Sequence, residues 1–234
     1  MKTLRVDVWS DIACPWCHVG KRRLEAALAG FAHRDSVKVV WRAFELDPAA
    51  PPARDVPAAY ASRLARKYGT GVAQAQAMIE RMTSVAAADG LDFRFDRIRP
   101  GTMFDAHRLL HLAGERGCQD ALKERLLRAY LTEGAAFGEP GVLVRLATEG
   151  GLDPDEAQAL LSSDTYASDV RRDEAEAASL GIQGVPFFRF GERLGVSGAQ
   201  PVSVLVAALE RAWTAHQPLE VFADGSACGP DGCA

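Results

Sequence analysis

Leu4 to Trp9 reads Leu-Arg-Val-Asp-Val-Trp, an alternation of period two that predicts a β-strand. Behind it, Val19, Leu24, Ala27, Leu28 and Phe31 supply one apolar helical face. Pro15 suits the first position of that helix, which would open at Cys14. Val37 to Leu46 (VKVVWRAFEL) is dense in Val, Trp and Phe and predicts a second strand. Strand, helix and strand in so short a span form a βαβ unit, whose two strands run parallel.

The pattern changes at Asp47–Pro57 (DPAAPPARDVP), a Pro/Ala linker, and from there to about residue 165 only helical periods occur. Val56, Tyr60, Leu64 and Tyr68 mark one face, stopped by Gly69. Val72, Ala75, Met78, Ile79, Met82, Val85 and Ala86 mark a second, stopped by Gly90. Thr102 to Asp105 can cap a third, and Leu122, Leu126, Leu127 and Tyr130 point a fourth inward. Asp153-Pro154-Asp155-Glu156 combines an N-cap acid, a Pro at the first helical position and a Glu three residues on. A further helix ends near Leu180-Gly181. Then Val185–Phe190 and Arg193–Ser197 flank Gly191-Glu192 as a β-hairpin, and a last helix runs from Val202 to about Thr214. Residues 217–234 are a Gly/Ala/Pro/Asp-rich tail ending in Cys228-Gly-Pro-Asp-Gly-Cys233. The expected domains are therefore 1–50 with 166–216, a helical insertion at 51–165, and the tail.

Composition narrows the classes. The 234 residues are 48 % hydrophobic and 25 % charged, with a formal net charge of −4. Nothing basic enough for a nucleic-acid partner is visible, and Lys21-Arg22-Arg23 reads as solvated helix surface. No apolar run approaches the roughly 18 residues that a membrane span needs. Charges interrupt every apolar stretch after Met1-Lys2-Thr3, unlike the core of a secretory signal. A cytoplasmic chain is expected, in which paired cysteines are catalytic, redox-sensing or metal-bound.

Cys14-Pro15-Trp16-Cys17-His18 admits three chemistries: haem attachment, half of a zinc site, or a redox-active helix start. A Cys14 sulfur at the helix N-cap would face unpaired amide N–H groups and the positive end of the dipole, both of which favour the thiolate. Cys17 returns to the same end of the helix, placed to close or resolve a disulfide. Haem attachment would require export, and no distal ligand is apparent, so His18 reads as a helix residue near the site. Zinc could use Cys14, Cys17, Cys228 and Cys233 only if the tail folded back. The redox reading suits Pro15 and the preceding strand better, and no metal or cofactor is expected. Gly229 to Gly232 form a turn that can bring Cys228 and Cys233 together as a second redox pair. Cys118 reads as a packed, inert thiol. His107 and His111 lack a third ligand and read as structural, and Met78 and Met82 as insertion core. Asp11 and Glu45 are candidates for proton transfer at the thiols, but surface or strand-end roles are favoured.

The strand before Cys14-Pro-Trp-Cys17, the helical insertion and Gly184-Val185-Pro186 before the last two strands together resemble the DsbA-type thioredoxin fold. Phe44-Glu45-Leu46 and Ala106-His107-Arg108-Leu109 resemble, more narrowly, its FrnE-like subfamily, whose relatives include kappa-class glutathione transferases and 2-hydroxychromene-2-carboxylate isomerases. The resemblance, over roughly residues 4–215, implies an α/β thioredoxin-like fold (βαβ plus ββα) with an inserted all-helical domain. It also implies a protein disulfide oxidoreductase/isomerase, with Cys14 as exposed nucleophile, Cys17 as buried partner and a cis bond at Val185–Pro186. The backbone of such a bond can pair with an extended substrate strand. Expected partners are proteins carrying disulfides or thiols, and a low-molecular-weight thiol or a thioredoxin-like reductant. The rival readings are a glutathione-dependent transferase or isomerase, whose relatives carry Ser at the first position, and a zinc-binding module.

Overall fold

Strand β1 (Leu4–Ser10) is apolar toward one side and carries Asp7 and Trp9 toward the other, and both sides are covered. That places it in the middle of a four-stranded sheet of order β2-β1-β3-β4. The computed structural model describes residues 3–51 and 60–216, together with Cys228–Gly229 and Gly232–Cys233. β2 (Val37–Ala43) runs parallel to β1, with Leu4 opposite Val37 and Ser10 opposite Ala43. β3 (Phe187–Phe190) is antiparallel to β1, and β4 (Leu194–Ser197) is antiparallel to β3. This is the βαβ-plus-ββα arrangement expected from the sequence.

On one face, α1 (Pro15–Ala29) and α9 (Val202–His216) pack together against the sheet. Leu24 and Ala27 of α1 and Leu205 and Leu209 of α9 meet Leu4, Val6, Val8, Phe188 and Phe190. Each fully buried Leu contributes about 1.5–3 kcal/mol relative to an exposed one. The other face is polar at its centre. Asp7 accepts from Arg5, Arg42 and Arg189 at 3.0, 2.8 and 2.9 Å. Burial pushes its carboxyl up, but the three guanidinium groups outweigh that and hold it below the usual range. Helix α8 (Ala167–Ser179) closes this face. Its Asp173 accepts from Arg42 at 2.7 Å and from the Ala43 amide at 2.9 Å, and the Asp173 carbonyl receives the Trp9 indole N–H at 3.0 Å.

Between β2 and α8 lie α2 (Tyr60–Tyr68), α3 (Val72–Ala88), α4 (Phe104–Arg116), α5 (Gln119–Arg128), α6 (Pro140–Glu149) and α7 (Pro154–Leu161). A π-helical turn, Ala129–Glu133, extends α5. Local chemistry sets several starts. The Thr102 hydroxyl accepts from the Phe104 amide at 3.2 Å, and Asp153 accepts from the amides of Asp155 and Glu156 at 2.9 and 3.1 Å. Helix α6 has no counterpart among the elements expected from the sequence. Leu109, Leu122, Leu126, Leu127 and Leu146 form the core of this layer, and Ile12 and Val19 from around the cysteine motif belong to the same cluster. Helix α1 is thus shared, Val19 facing one core and Leu24 the other.

Lys21-Arg22-Arg23 is not the solvated surface expected. Lys21 is buried and pairs with Glu25, with Asp120 at 3.1 Å and with Glu124 at 3.4 Å. Arg22 pairs with Glu124, and Arg23 with Asp89 at 3.0 Å. The run is cationic because α1 docks against acids from α3–α5 and their flanks. In the tail, the backbones of Cys228 and Cys233 pair directly across a short antiparallel ladder, β5 (Cys228–Gly229) with β6 (Gly232–Cys233). The positions of their side chains, and Val56 in the linker, lie outside the described residues. No helix among the described residues is long and apolar enough to cross a membrane.

Candidate active site

The tight passage from β1 into α1 is held by one carboxylate. Asp11 accepts from the Ala13 amide at 3.1 Å and, across the chain, from the Leu46 amide at 2.7 Å. Burial pushes the Asp11 carboxyl up, but His107, whose Nε2 lies 3.6 Å from it, and the two amides hold it below the usual range. Cys14 follows as the extended N-cap residue, Pro15 occupies the first turn, and the Cys17 amide donates to the Cys14 carbonyl at 3.0 Å. This geometry brings Cys14 and Cys17 within 3.4 Å of each other.

From the other half of the fold, the loop before β3 delivers Val185 and Pro186 to the same place. The bond between them is cis, and the Cys14 thiol donates to the Val185 carbonyl at 3.6 Å. The Pro186 carbonyl is held in turn by the Gly198 amide at 2.8 Å. Gly20 of α1 permits this approach, since a Cβ there would come within 2.9 Å of Pro186.

The exposed nucleophile implied by the resemblance is not what the structure has. Cys14 is only 4 % exposed, and Cys17 is fully buried. Cys14 instead lines a cavity of about 850 Å³ walled by the β1–α1 turn, the segment after β2, helices α2 and α3, and the loop before α4. The helical layer overhangs the motif and converts a surface thiol into one reached from within. Trp16, 43 % exposed, stands at this cavity with Leu46, Tyr68 and Met78, while Arg63, Arg66, Lys67 and Arg81 add positive charge. Met78 therefore borders the cavity and is not insertion core; Met82 is both buried and cavity-lining.

The two thiols share protons unequally. The closeness of Cys17, with burial and the nearby Asp11 charge, pushes the Cys14 thiol up. Burial also opposes ionisation of Cys17, while the neighbouring Cys14 thiol and the charge of Lys123 act to lower it.

Asp11 and Glu45, favoured as surface or strand-end residues, are both buried and both line the cavity. Glu45 pairs with Arg171 at 2.8 Å, and burial against the cavity wall leaves its carboxyl above the usual range. His18 is buried, 3.3 Å from Glu124, and packs on Phe93. His111 Nε2 lies 3.1 Å from Asp173 and joins the polar cluster under α8. Cys118 caps α5 against Gly151, and burial pushes its thiol up. Sequence reasoning missed Lys123 altogether. Its signal was available: Lys123, Leu126, Leu127 and Tyr130 share one helical face, the inward one.

Residues 5–210 match the model of the DSBA-like thioredoxin domain family. The chain is similar to a probable DsbA oxidoreductase of known structure from Streptomyces coelicolor, at 48 % identity and a TM-score of 0.86 over 99 % of this chain and 98 % of that one. It is 30 % identical to the uncharacterised protein YwbO of Bacillus subtilis, covering 88 % of this chain and 96 % of the relative. The cytosolic disulfide reductase DsbM from Pseudomonas aeruginosa shares the fold at 18 % identity, with a TM-score of 0.62 over 90 % of this chain and 99 % of the other.

Proposed function

The chain belongs to the DSBA-like thioredoxin domain family, and from that premise we propose that it is a thiol–disulfide oxidoreductase using Cys14 and Cys17. The observation that carries this reading is the pair of thiols within 3.4 Å of each other at the start of α1, one of them opening on the cavity beside the Val185 carbonyl. Within the family, Phe44-Glu45-Leu46 and Ala106-His107-Arg108-Leu109 support a place beside the FrnE-like members.

In the reductive direction Cys14 passes its proton to Cys17 and attacks a substrate disulfide. A Cys14–substrate bond forms, and the other substrate sulfur leaves as a thiolate with the bonding electrons. Cys17 gives that proton to the departing thiolate, attacks the Cys14 sulfur, forms the Cys14–Cys17 disulfide and releases the second substrate thiolate. The reverse sequence oxidises a dithiol, and both together isomerise. Because Cys14 sits within a cavity, its partners are the disulfide of a small molecule or an extended peptide segment that reaches inside. The apolar border of Trp16, Leu46, Tyr68 and Met78 suits peptide side chains. The arginines and Lys67 suit the carboxylates of a low-molecular-weight thiol acting as reductant. Such flux fits the cytoplasmic location this reading adopts. Cys228 and Cys233 serve in it as a second pair exchanging with the first, supported by the backbone ladder that sets them opposite each other.

Insulin reduction with a thiol reductant tests the proposal. Cys14→Ser abolishes turnover, and Cys17→Ser accumulates mixed disulfides visible by mass spectrometry. Wild-type turnover by Cys14→Ser overturns the mechanism.

A further inference from the structure

The cavity beside Cys14 holds more positive charge than its own wall answers. Arg63, Arg66 and Lys67 of α2 and Arg81 of α3 line it, and among the described residues none of the four has a carboxylate within ion-pair distance. The two buried acids of the same wall are taken, Asp11 by the amides of Ala13 and Leu46, and Glu45 by Arg171 at 2.8 Å. Arg66 and Lys67 stand exposed in the last turn of α2, where cations complement the helix dipole. That does not account for Arg63, which lies a turn earlier. Its guanidinium carbon sits 5.4 Å from the centre of the Tyr60 ring, itself part of the cavity wall. Its Nη1 is shut off from solvent and has no hydrogen-bond partner among the described residues. A guanidinium nitrogen held in this way is costly until an acceptor arrives. The acceptor that matches its fork is a carboxylate.

We propose that Arg63 is a specificity-determining residue that selects protein substrates carrying an acidic residue beside the cysteine to be exchanged. This rests on the exchange chemistry proposed above and names the substrate class of that same site. The substrate enters as an extended segment. Its carboxylate takes Arg63, with Arg66, Lys67 and Arg81 adding attraction at longer range, while its apolar side chains cover Trp16, Leu46, Tyr68 and Met78. Those four are 43, 37, 55 and 38 % exposed, a border wider than the few methylenes of a small thiol can cover. Trp, Tyr, Met and Arg are also the residue types that protein-binding surfaces concentrate. The reductant's carboxylates meet the same cations in the other half-reaction, after the protein substrate has left. No bond is made or broken at Arg63, and the exchange stays between Cys14, Cys17 and the substrate sulfurs.

The test mixes pre-reduced enzyme with peptide disulfides that differ only in carrying Glu, Gln or Lys next to one half-cystine. Single-turnover formation of the Cys14–Cys17 disulfide is followed by quenched-flow mass spectrometry, with no other thiol present, so the reductant's own use of the cations does not enter. The Glu peptide reacts at least about tenfold faster than the Gln peptide, the worth of one hydrogen bond to a charged group, and the Lys peptide is slower still. In Arg63→Gln the Glu-to-Gln ratio falls to within about twofold, and Arg63→Lys, which keeps the charge but loses the fork, retains part of it. A ratio near one in the parent enzyme, or one that Arg63→Gln leaves unchanged, overturns the proposal. So does an effect of Arg63→Gln confined to glutathione disulfide, which would give the cation to the small reductant alone. If Arg63→Gln does not fold, the ratio in Arg63→Lys decides: reduced, it upholds the assignment, and unchanged, it overturns it. If no peptide oxidises the enzyme, the exchange chemistry itself has failed. Fluorescence anisotropy of the Glu and Gln peptides, made with Ser in place of Cys, then still tests Arg63, and equal affinities overturn its role.

Discussion

Replacing Gly20 by Ala separates helix propensity from the geometry of the site. Gly20 is an interior position of α1, where Ala is favoured by about 1 kcal/mol. Its Cβ, however, would lie 2.9 Å from Pro186 Cγ, 3.1 Å from Phe188 Cζ and 3.4 Å from Pro186 Cβ. Carbon pairs settle at about 3.5–4.0 Å, so the loop or the helix must retreat by roughly half an ångström or more. Overpacking of this kind costs about 1–3 kcal/mol, leaving a net loss of about 0–2 kcal/mol. For a chain of this length each kcal/mol moves the melting temperature by about 2–4 °C. The activity loss should exceed what that stability change explains, because the displaced atoms include the residue bonded to Val185, whose carbonyl holds the Cys14 thiol. Gly141→Ala in α6, where a Cβ meets nothing within 4 Å, is the control: it gains stability and leaves activity alone. The assays are thermal unfolding and insulin-reduction kcat/KM. Gly20→Ala protein with the full propensity gain and parental kcat/KM would refute the claim that α1 and the Pro186 loop are in contact at this point.

Asp173→Ala removes the fully buried acid of a largely buried cluster and strands Arg42, the Ala43 amide and His111. The expected loss is about 3–5 kcal/mol, read as a lower urea midpoint; a loss under 1 kcal/mol contradicts the cluster. Asp7, Asp11 and Asp173 all have carboxyls held below their ordinary value. In the window between the folded and the unfolded values the unfolded chain binds more protons, so their stabilisation is complete above the ordinary carboxylate value and is lost as pH falls through the depressed ones. Urea midpoints should therefore hold from pH 7 to about 5 and drop progressively below about 4, and a flat profile down to pH 3 would contradict this. Deleting residues 224–234 alters turnover, and Cys17→Ser protein under mild oxidation accumulates Cys14–Cys228 or Cys14–Cys233 cross-links. Peptide mass spectrometry with neither, and unchanged kinetics, removes the tail from the mechanism.

Much of the fold was legible because its signals are local. Alternation marked β1, Asp153 and Pro154 marked the start of α7, and Gly69 and Gly90, at φ of +63° and +75°, sit where α2 and α3 stop. Helix α6 was not legible, since Val142, Leu143, Leu146 and Ala147 give barely two turns of period between Gly-rich flanks. Charge misled for a different reason. Lys21, Lys123, Asp11 and Asp7 belong inside only because a partner distant in sequence arrives there, and a hydropathy pattern weighs each residue alone. The thiol pair was visible from its spacing. Its enclosure was not, because much of the cavity wall comes from residues 50 or more positions further on.

The central position of β1 has a consequence during synthesis. Its parallel neighbour β2 follows directly, but its antiparallel neighbour β3 emerges only after roughly 140 further residues. At about 5–20 residues per second the ribosome takes roughly 7–28 s to deliver it. Throughout that interval one edge of β1 offers unpaired amides and carbonyls beside Leu4, Val6 and Val8, and the floor on which Phe188 and Phe190 will rest stands open. The helices that follow β2 are built from contacts near in sequence and fold on the microsecond scale once released. They shield the Cys14–Cys17 motif from one side while the sheet still waits for its third strand. The nascent chain therefore passes through a stage in which its two thiols are reachable from the unfinished side. Arrival of β3, β4 and α9 completes the sheet and leaves the cavity beside the helical layer as the approach to Cys14.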